Sequence, residues 1–133
     1  MVKQKKVVDQ RQLKRFLVRE DTVVIFRSPD AGMGRLIDIS MGGLTFDWVT
    51  SEVLPIEATR VDICRTGSLF ILYNLPCRTI WELSIYEKRP TSLHRKRCGL
   101  QFGKLTPQQV SQLKYFIQNH TTSEVQVQDP DTH

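Results

Sequence analysis

The strongest constraint on the fold is a series of short segments between positions 22 and 102 in which apolar residues alternate with polar ones. In the segment 44–49, for example, Leu44, Phe46 and Trp48 share one face of an extended chain, and Thr45 and Asp47 share the other. Turn signals rich in Gly and Pro separate many of the segments. Seven strands are predicted, at residues 22–27, 34–40, 44–49, 60–65, 69–73, 75–83 and 98–102.

The hydrophobic period changes after position 102. Thr106, Pro107 and Gln109 form a helix-start signature with a capping box. The apolar face of this helix contains Val110, Leu113, Phe116 and Ile117. Since a closed barrel leaves short strands without exposed edges, the predicted fold is mainly β, a six- to seven-stranded antiparallel barrel with a C-terminal α-helix that plugs its open end.

The 133 residues suit one domain, which we place at residues 12–120. Residues 1–11 are basic and are expected to form a flexible N-terminal arm. Residues 121–133 are polar and lack periodicity, so they are expected to form a disordered tail. The basic residues at positions 88–97 are expected to form a loop.

The charge balance favours an anionic ligand or partner, because Lys and Arg outnumber Asp and Glu by 19 to 14. The three cysteines, Cys64, Cys77 and Cys98, are odd in number and widely spaced, as expected of small hydrophobic residues in a reducing cytosol. No apolar run approaches the roughly 20 residues of a membrane span, and no signal peptide is visible. A cytoplasmic location is therefore expected.

Two short motifs carry the most informative chemistry. The first is Arg15-x-x-x-Arg19, which offers two permanently charged planar groups that can clamp phosphate, stack on a purine or bond to the O6 and N7 edge of guanine.

The second motif is Asp38-x-Ser40 followed by Gly42 and Gly43. We expect Asp38 and Ser40 to share the outer face of a strand, with Ile37 and Ile39 facing the core. A carboxylate suits the N1–H and N2–H₂ donors of guanine, while a hydroxyl and backbone amides exposed by positive-φ glycines suit phosphate. A guanine nucleotide would satisfy both motifs.

With these two motifs in order, the chain resembles the PilZ domain family over residues 12–120. Arg15 and Arg19 match the family's R-x-x-x-R signature, and Asp38, Ser40 and Gly43 match its [D/N]-x-[S/A]-x-x-G signature. Further resemblance lies in Ile80-Trp81 and in the segment 97–102. The resemblance implies a PilZ-type split β-barrel in a bacterial receptor for the second messenger cyclic di-GMP, with no other cofactor.

The resemblance also implies how such a receptor would work. The segment with the two arginines would become ordered over the barrel when ligand binds, and the signal would pass to an unidentified effector protein. Lys14 precedes the first arginine, at a position linked in the family to the binding of one or two ligand molecules. Gly42 is a further candidate contact in the glycine turn.

Other readings of the chain remain open. A ligand-silent PilZ adaptor that acts through protein–protein contacts is the main alternative, and a basic nucleic-acid-binding barrel is less favoured because no row of surface aromatics is evident. No catalytic triad, P-loop or paired metal-ligand motif is present, so neither an enzyme nor a metal site is expected. Trp48 and Trp81 are expected to pack in the core or at the barrel rim, with lining of the ligand surface as the alternative for Trp81.

Overall fold

The structure is a computed structural model that describes residues 13–28, 30–50, 57–67, 71–85 and 93–125. It contains eight strands and one helix within these residues. In chain order they are β1 (Phe16–Val18), β2 (Thr22–Ser28), β3 (Asp30–Ile39), β4 (Gly43–Thr50), β5 (Arg60–Arg65), β6 (Ile71–Ile85), β7 (His94–Phe102), α1 (Pro107–Asn119) and β8 (Thr121–Glu124).

Six of the strands close into an antiparallel barrel in the order β2-β5-β6-β7-β4-β3, and the pairing of β2 with β3 completes the ring. β1 pairs with the end of β3, and β8 pairs with the outer edge of β1. The prediction of a mainly β barrel with a C-terminal helix is therefore confirmed.

The barrel encloses one apolar core, to which its strands and α1 contribute. The largest fully buried side chains are Phe26, Phe46, Phe116, Leu36, Ile39, Leu44, Ile63, Leu72, Leu75, Leu100, Leu113 and Val24. Phe26 lies 5.2 Å from Phe46 and 4.9 Å from Trp48 between ring centroids, so aromatic contacts link β2 to β4. Leu113 and Phe116 bring α1 into the same core.

The predicted helix is confirmed, together with its capping box. The Gln109 backbone amide donates to the Thr106 hydroxyl at 3.1 Å, and the Thr106 backbone amide donates to the Gln109 side-chain oxygen at 3.0 Å. The helix ends at Asn119. Within the described ranges, no helix is both long and apolar enough to cross a membrane.

Three strand assignments differ from the prediction. β3 begins at Asp30, before the predicted start at Gly34. Residues 71–73 and 75–83, predicted to lie in two strands, belong to one strand, β6, in which Asn74 has a positive φ of 58°, while residues 69 and 70 lie outside the described residues. Residues 94–97, expected in a loop, begin β7. Their charged side chains are compatible with a strand because Arg95 and Arg97 both pair with Asp47 of β4.

The expected disorder from residue 121 is wrong for Thr121–Glu124, which form β8. The polar sequence hides this strand because its stability comes from backbone pairing with β1. The Val125 amide donates to the Arg15 carbonyl at 2.8 Å, and the Thr122 hydroxyl donates to the Leu17 carbonyl at 3.3 Å. The predicted arm at residues 1–11 and the rest of the predicted tail at residues 126–133 lie outside the described residues.

The three cysteines are free thiols. Cys98 is fully buried in the core, and burial raises its pKa to about 12. Burial likewise raises the pKa of Cys77 to about 11. Both thiols are therefore protonated near neutral pH, which makes them poor nucleophiles and suits the expected role of small hydrophobic residues.

The feature that positions the candidate site is a change of partner along β3. β2 pairs with β3 up to Val23 opposite Arg35, and β1 then pairs with it from Leu17 opposite Asp38. Val23 follows Leu17 by six residues, whereas their partners on β3, Arg35 and Asp38, are only three residues apart. The surplus forms a turn at Arg19–Asp21 in which the Thr22 amide donates to the Arg19 carbonyl at 3.2 Å.

A β-bulge lies at the same point of β3. The register between β3 and β4 shifts between Leu36 and Asp38, so Leu36 and Ile39 are both buried although they are three residues apart. The expectation that Ile37 faces the core is wrong, because the bulge turns its side chain towards an outer cleft.

Gly43→Ala tests how closely β4 approaches β7. A Cβ at Gly43 would lie 2.1 Å from the Leu100 carbonyl oxygen, so the substitution should lower the free energy of unfolding by about 1–3 kcal/mol. Urea denaturation measures the change. Gly103→Ala is the milder control, because its Cβ would lie 3.3 Å from the Pro76 Cβ. Equal stability of the two variants would contradict the close approach.

Candidate functional site

Arg15, the first arginine of the R-x-x-x-R motif, meets Asp38 of β3 at the seam between β1 and β3. Arg15 donates from Nε to Asp38 Oδ1 at 2.9 Å, and its Nη2 lies 2.8 Å from the same oxygen. Nη2 also donates to the Thr45 hydroxyl at 3.3 Å. The side chains of Arg15 and Asp38 are 31% and 16% exposed, so the pair is accessible from solvent.

Arg19 lies on the surplus turn and lines an open cleft of about 640 Å³, whose lining residues do not include Arg15 or Asp38. The apolar floor of the cleft contains Leu17, which pairs with Asp38 across the β1–β3 seam, and Ile37, the residue before Asp38. The other lining residues are Val18, Glu20, Asp21, Arg35, Leu36, Arg65 and Thr122. The cleft thus combines an apolar floor with arginine side chains.

The turn that carries Arg19 is tied to β5 and to the end of α1. Arg65 donates from Nε to both Asp21 carboxylate oxygens, at 3.1 and 3.2 Å, and its Nη1 lies 3.0 Å from His120 Nδ1. Because Arg65 is always a donor, His120 accepts through Nδ1 in its neutral form. The position of Arg19 therefore depends on contacts from three parts of the chain.

Ser40 does not share the outer face with Asp38, contrary to the expectation from strict alternation. β3 ends at Ile39, and Ser40 is 1% exposed in the turn that follows. Its hydroxyl accepts from the Gly42 amide at 3.0 Å, and its amide donates to the Gly43 carbonyl at 2.8 Å. Ser40 thus stabilises the loop instead of facing solvent.

The two glycines of this loop serve close packing. The expected positive φ occurs at neither Gly42 nor Gly43, since Gly67 is the positive-φ glycine among the described residues. A Cβ at Gly42 would lie 2.6 Å from Leu13 Cδ1, so the absence of a side chain lets the arm pack on the loop. Residues 13–15 therefore contact the second motif both through packing at Gly42 and through the Arg15–Asp38 ion pair.

Lys14 lies away from the Arg15–Asp38 pair. It lines a second groove of about 440 Å³ on the helix side of β1, together with Leu13, Phe16 and Lys114 among others. Neighbouring residues of a strand point to opposite faces, which explains why Lys14 and Arg15 separate.

Trp81 is a further candidate, for which the sequence favoured core packing over a place on the ligand surface. Its side chain is 39% exposed and lies on Gly99, where a Cβ would be 2.2 Å from Trp81 Nε1. Gly99 pairs with Thr45 across the β4–β7 ladder, and Thr45 contacts Arg15. The indole therefore lies near the Arg15–Asp38 pair on the outer face, an arrangement that the isolated Gly99 in a strand could have indicated.

An ion pair between Asp47 and Arg97 supports the outer face beside the site. Asp47 is buried, and Arg97 donates to its two carboxylate oxygens at 2.6 and 2.9 Å. This hydrogen bonding raises the pKa of Arg97. Within the described part of the chain, no group of three or more His, Cys, Asp or Glu residues is arranged to hold a metal ion.

His120 gives the cleft a predicted pH dependence. Its pKa is lowered, first by burial and then by the positive charges of Arg65 and Arg19. A base with a lowered folded-state pKa takes up protons more readily when unfolded, so stability should fall as the pH drops below about 6.5. Protonation also removes the acceptor for Arg65.

Thermal unfolding at pH 7.5 and 5.5 measures this dependence. His120→Gln should reduce the loss of melting temperature on acidification, whereas His94→Gln, at an exposed position, should leave it unchanged. An identical loss in the original chain and in His120→Gln would contradict the role given to His120.

Comparison with known proteins places the fold. No protein-family model and no curated protein matches the sequence. Among solved structures, the PilZ domain of YcgR from Escherichia coli with c-di-GMP matches with a TM-score of 0.64 and 15% identity, over 84% of this chain and 92% of that one. The K. pneumoniae MrkH–c-di-GMP complex matches with a TM-score of 0.64 and 15% identity, over 85% and 53% of the two chains.

A third structure agrees with these two. The Borreliella burgdorferi PlzA protein in complex with c-di-GMP matches with a TM-score of 0.52 and 14% identity, over 98% of this chain and 57% of that one. The six-stranded closed barrel, the strand β1 added at β3 and the C-terminal helix are therefore features of a known architecture, and the chain has the fold of a PilZ domain.

Proposed function

We propose that this chain is a bacterial receptor for cyclic di-GMP and not an enzyme. The observation that carries the proposal is the meeting of Arg15 and Asp38 beside a cleft lined by Arg19, in a fold shared with proteins solved in complex with c-di-GMP. A cytoplasmic location is part of the proposal, and the free thiols of Cys64, Cys77 and Cys98 support it.

The groups at the seam match the chemistry of the ligand. Cyclic di-GMP has two guanines and two phosphate charges. The Asp38 carboxylate can accept from guanine N1–H and N2–H₂, and the guanidinium groups of Arg15 and Arg19 can bind phosphate or the guanine O6 and N7 edge. The exposed face of Trp81 offers a surface for stacking a purine. The cleft of about 640 Å³ is within the usual range for a ligand site.

Ligand entry requires the Arg15–Asp38 pair to exchange partners. Because both side chains are partly exposed, the pair contributes little to stability, and its loss costs about 1 kcal/mol or less. A ligand that supplies donors to Asp38 and an anion to Arg15 replaces both halves of the interaction. The unbound pair thus keeps the two groups oriented for binding.

The remaining motif residues have supporting roles in this proposal. Ser40, Gly42 and Gly43 hold the loop beside Asp38, and a direct bond from Ser40 to ligand would require its hydroxyl to release the Gly42 amide. Lys14 would reach ligand only through movement of the arm or through a second ligand molecule, because it lines the groove on the other side of β1.

The proposed relay runs through the strand that carries the arginines. β1 lies between β3 and β8, and the turn after it is bound to the end of α1 through Arg65 and His120. Ordering of the N-terminal segment on ligand would therefore change the surfaces of β8 and α1. An effector protein that binds these surfaces would receive the signal.

A ligand-silent adaptor is the alternative, and one observation favours it. Arg15 and Asp38 satisfy each other, while the Ser40 hydroxyl and the Gly42 amide are engaged within the loop. A barrel that acts only through protein contacts would keep these bonds permanently. Binding measurements with cyclic di-GMP separate the two hypotheses.

Isothermal titration calorimetry with cyclic di-GMP is the test. Arg15→Ala and Arg19→Ala should each weaken binding by about 1.5–3 kcal/mol, the range for hydrogen bonds to charged groups. Arg27→Ala is the matched control, because Arg27 is 54% exposed and makes a loose pair with Asp62 at 3.9 Å. Arg27→Ala removes the same positive charge as the test variants, but at the end of β2 away from the candidate site.

Two results would count against the proposal. The absence of binding by the unaltered chain would support the adaptor. Binding that is unchanged in both Arg15→Ala and Arg19→Ala would show that the ligand occupies another surface.

A further inference from the structure

We propose that Arg35 is a third arginine of the same site and that it binds a phosphate of the dinucleotide. The inference rests on the proposed function and adds a residue that belongs to neither short motif. Arg35 stands at the last β2–β3 pair, just before β3 changes its partner to β1.

The bulge in β3 turns Arg35 towards the site. In a regular strand, residues 35 and 38 would point to opposite faces, because an odd number of positions separates them. The register shift between Leu36 and Asp38 removes this restriction, since Leu36 and Ile39 both point into the core. Arg35 and Asp38 therefore both lie on the outside of the barrel, on either side of the bulged Ile37.

The cleft brings Arg35 together with Arg19, the second arginine of the R-x-x-x-R motif. Both Arg35 and Arg19 line it, above the apolar floor formed by Leu17 and Ile37. A purine that lies on this floor would place its phosphate between two guanidinium groups. Convergent arginines of this kind suit a phosphodiester, whose single negative charge is shared by two non-bridging oxygens.

Arg35 is also easier for a ligand to recruit than Arg65, the other arginine that lines the cleft beside Arg19. Its Nη1 lies 3.7 Å from Glu20 Oε1, and the two side chains are 48% and 89% exposed, so this contact is weak. Asp47, its partner across the β3–β4 ladder, is already bound by Arg97 through both oxygens. Arg65, by contrast, is engaged by Asp21 and His120.

Glu20 then acts as a competitor for the ligand. Its carboxylate lies on the same turn as Arg19 and pairs with Arg35 at 3.7 Å. An incoming phosphate must displace it. Removal of the Glu20 charge should therefore strengthen binding, and this gain should depend on Arg35.

Calorimetric titrations of the full chain with cyclic di-GMP test the inference. Arg35→Ala should raise the Kd about tenfold or more, because a hydrogen bond to a charged group is lost. Glu20→Gln should lower the Kd about two- to fivefold. In the double variant Arg35→Ala/Glu20→Gln, the gain from Glu20→Gln should disappear, since residues that share one interaction are not additive. Arg27→Ala again controls for net charge, and thermal unfolding confirms that each variant is folded.

Each outcome separates this inference from the proposed function. Binding by the unaltered chain, with Arg35→Ala no weaker than Arg27→Ala, overturns the role of Arg35 and leaves the receptor proposal intact. If Glu20→Gln lowers the Kd by the same factor in the Arg35→Ala variant as in the original chain, the proposed competition between Glu20 and the ligand for Arg35 is overturned. Absence of binding by the unaltered chain overturns both proposals.

Discussion

The candidate site depends on one constraint, the change of partner along β3 from β2 to β1. A strand can pair with only one neighbour at each point of an edge, so β1 and β2 must meet end to end beside β3. Their junction has three more residues than β3 does opposite them, and the surplus protrudes as the turn that carries Arg19. The same junction creates the cleft and brings Arg15 to Asp38.

Two ion pairs on the outer face have different physical roles. Asp47 is buried and bound at both oxygens by Arg97, so the loss of Arg97 would leave this carboxylate with only the longer 3.7 Å contact to Arg95. Arg15 and Asp38 are partly exposed, so water compensates the loss of either partner. The first pair therefore serves the structure of the sheet, and the second is suited to exchange with a ligand.

Local signals made much of the architecture predictable. The capping box at Thr106 and Gln109 and the apolar face of α1 act within a few residues, and the helix follows them closely. The alternation in β4 likewise indicated a strand. The meeting of Arg15 with Asp38 could be predicted only through the resemblance to a family, because 23 residues separate them in the chain.

The features that escaped prediction depend on tertiary contacts. β8 forms because its backbone pairs with β1, and its composition gives no sign of this. The bulge at Ile37 breaks strict alternation, which turned Ile37 outwards. The burial of Ser40 follows from the end of β3 at Ile39, a boundary that alternation does not define.

The central claim is that cyclic di-GMP binds at the β1–β3 seam. An NMR titration of the isotopically labelled chain tests it most directly, with the Arg15 Nε–H resonance and the backbone amides as probes. The account predicts that the Arg15 Nε–H resonance shifts as its bond to Asp38 is exchanged, together with the amides of Leu17, Arg19 and Asp38. Shifts confined to other surfaces, or no shift at saturating ligand, would contradict it.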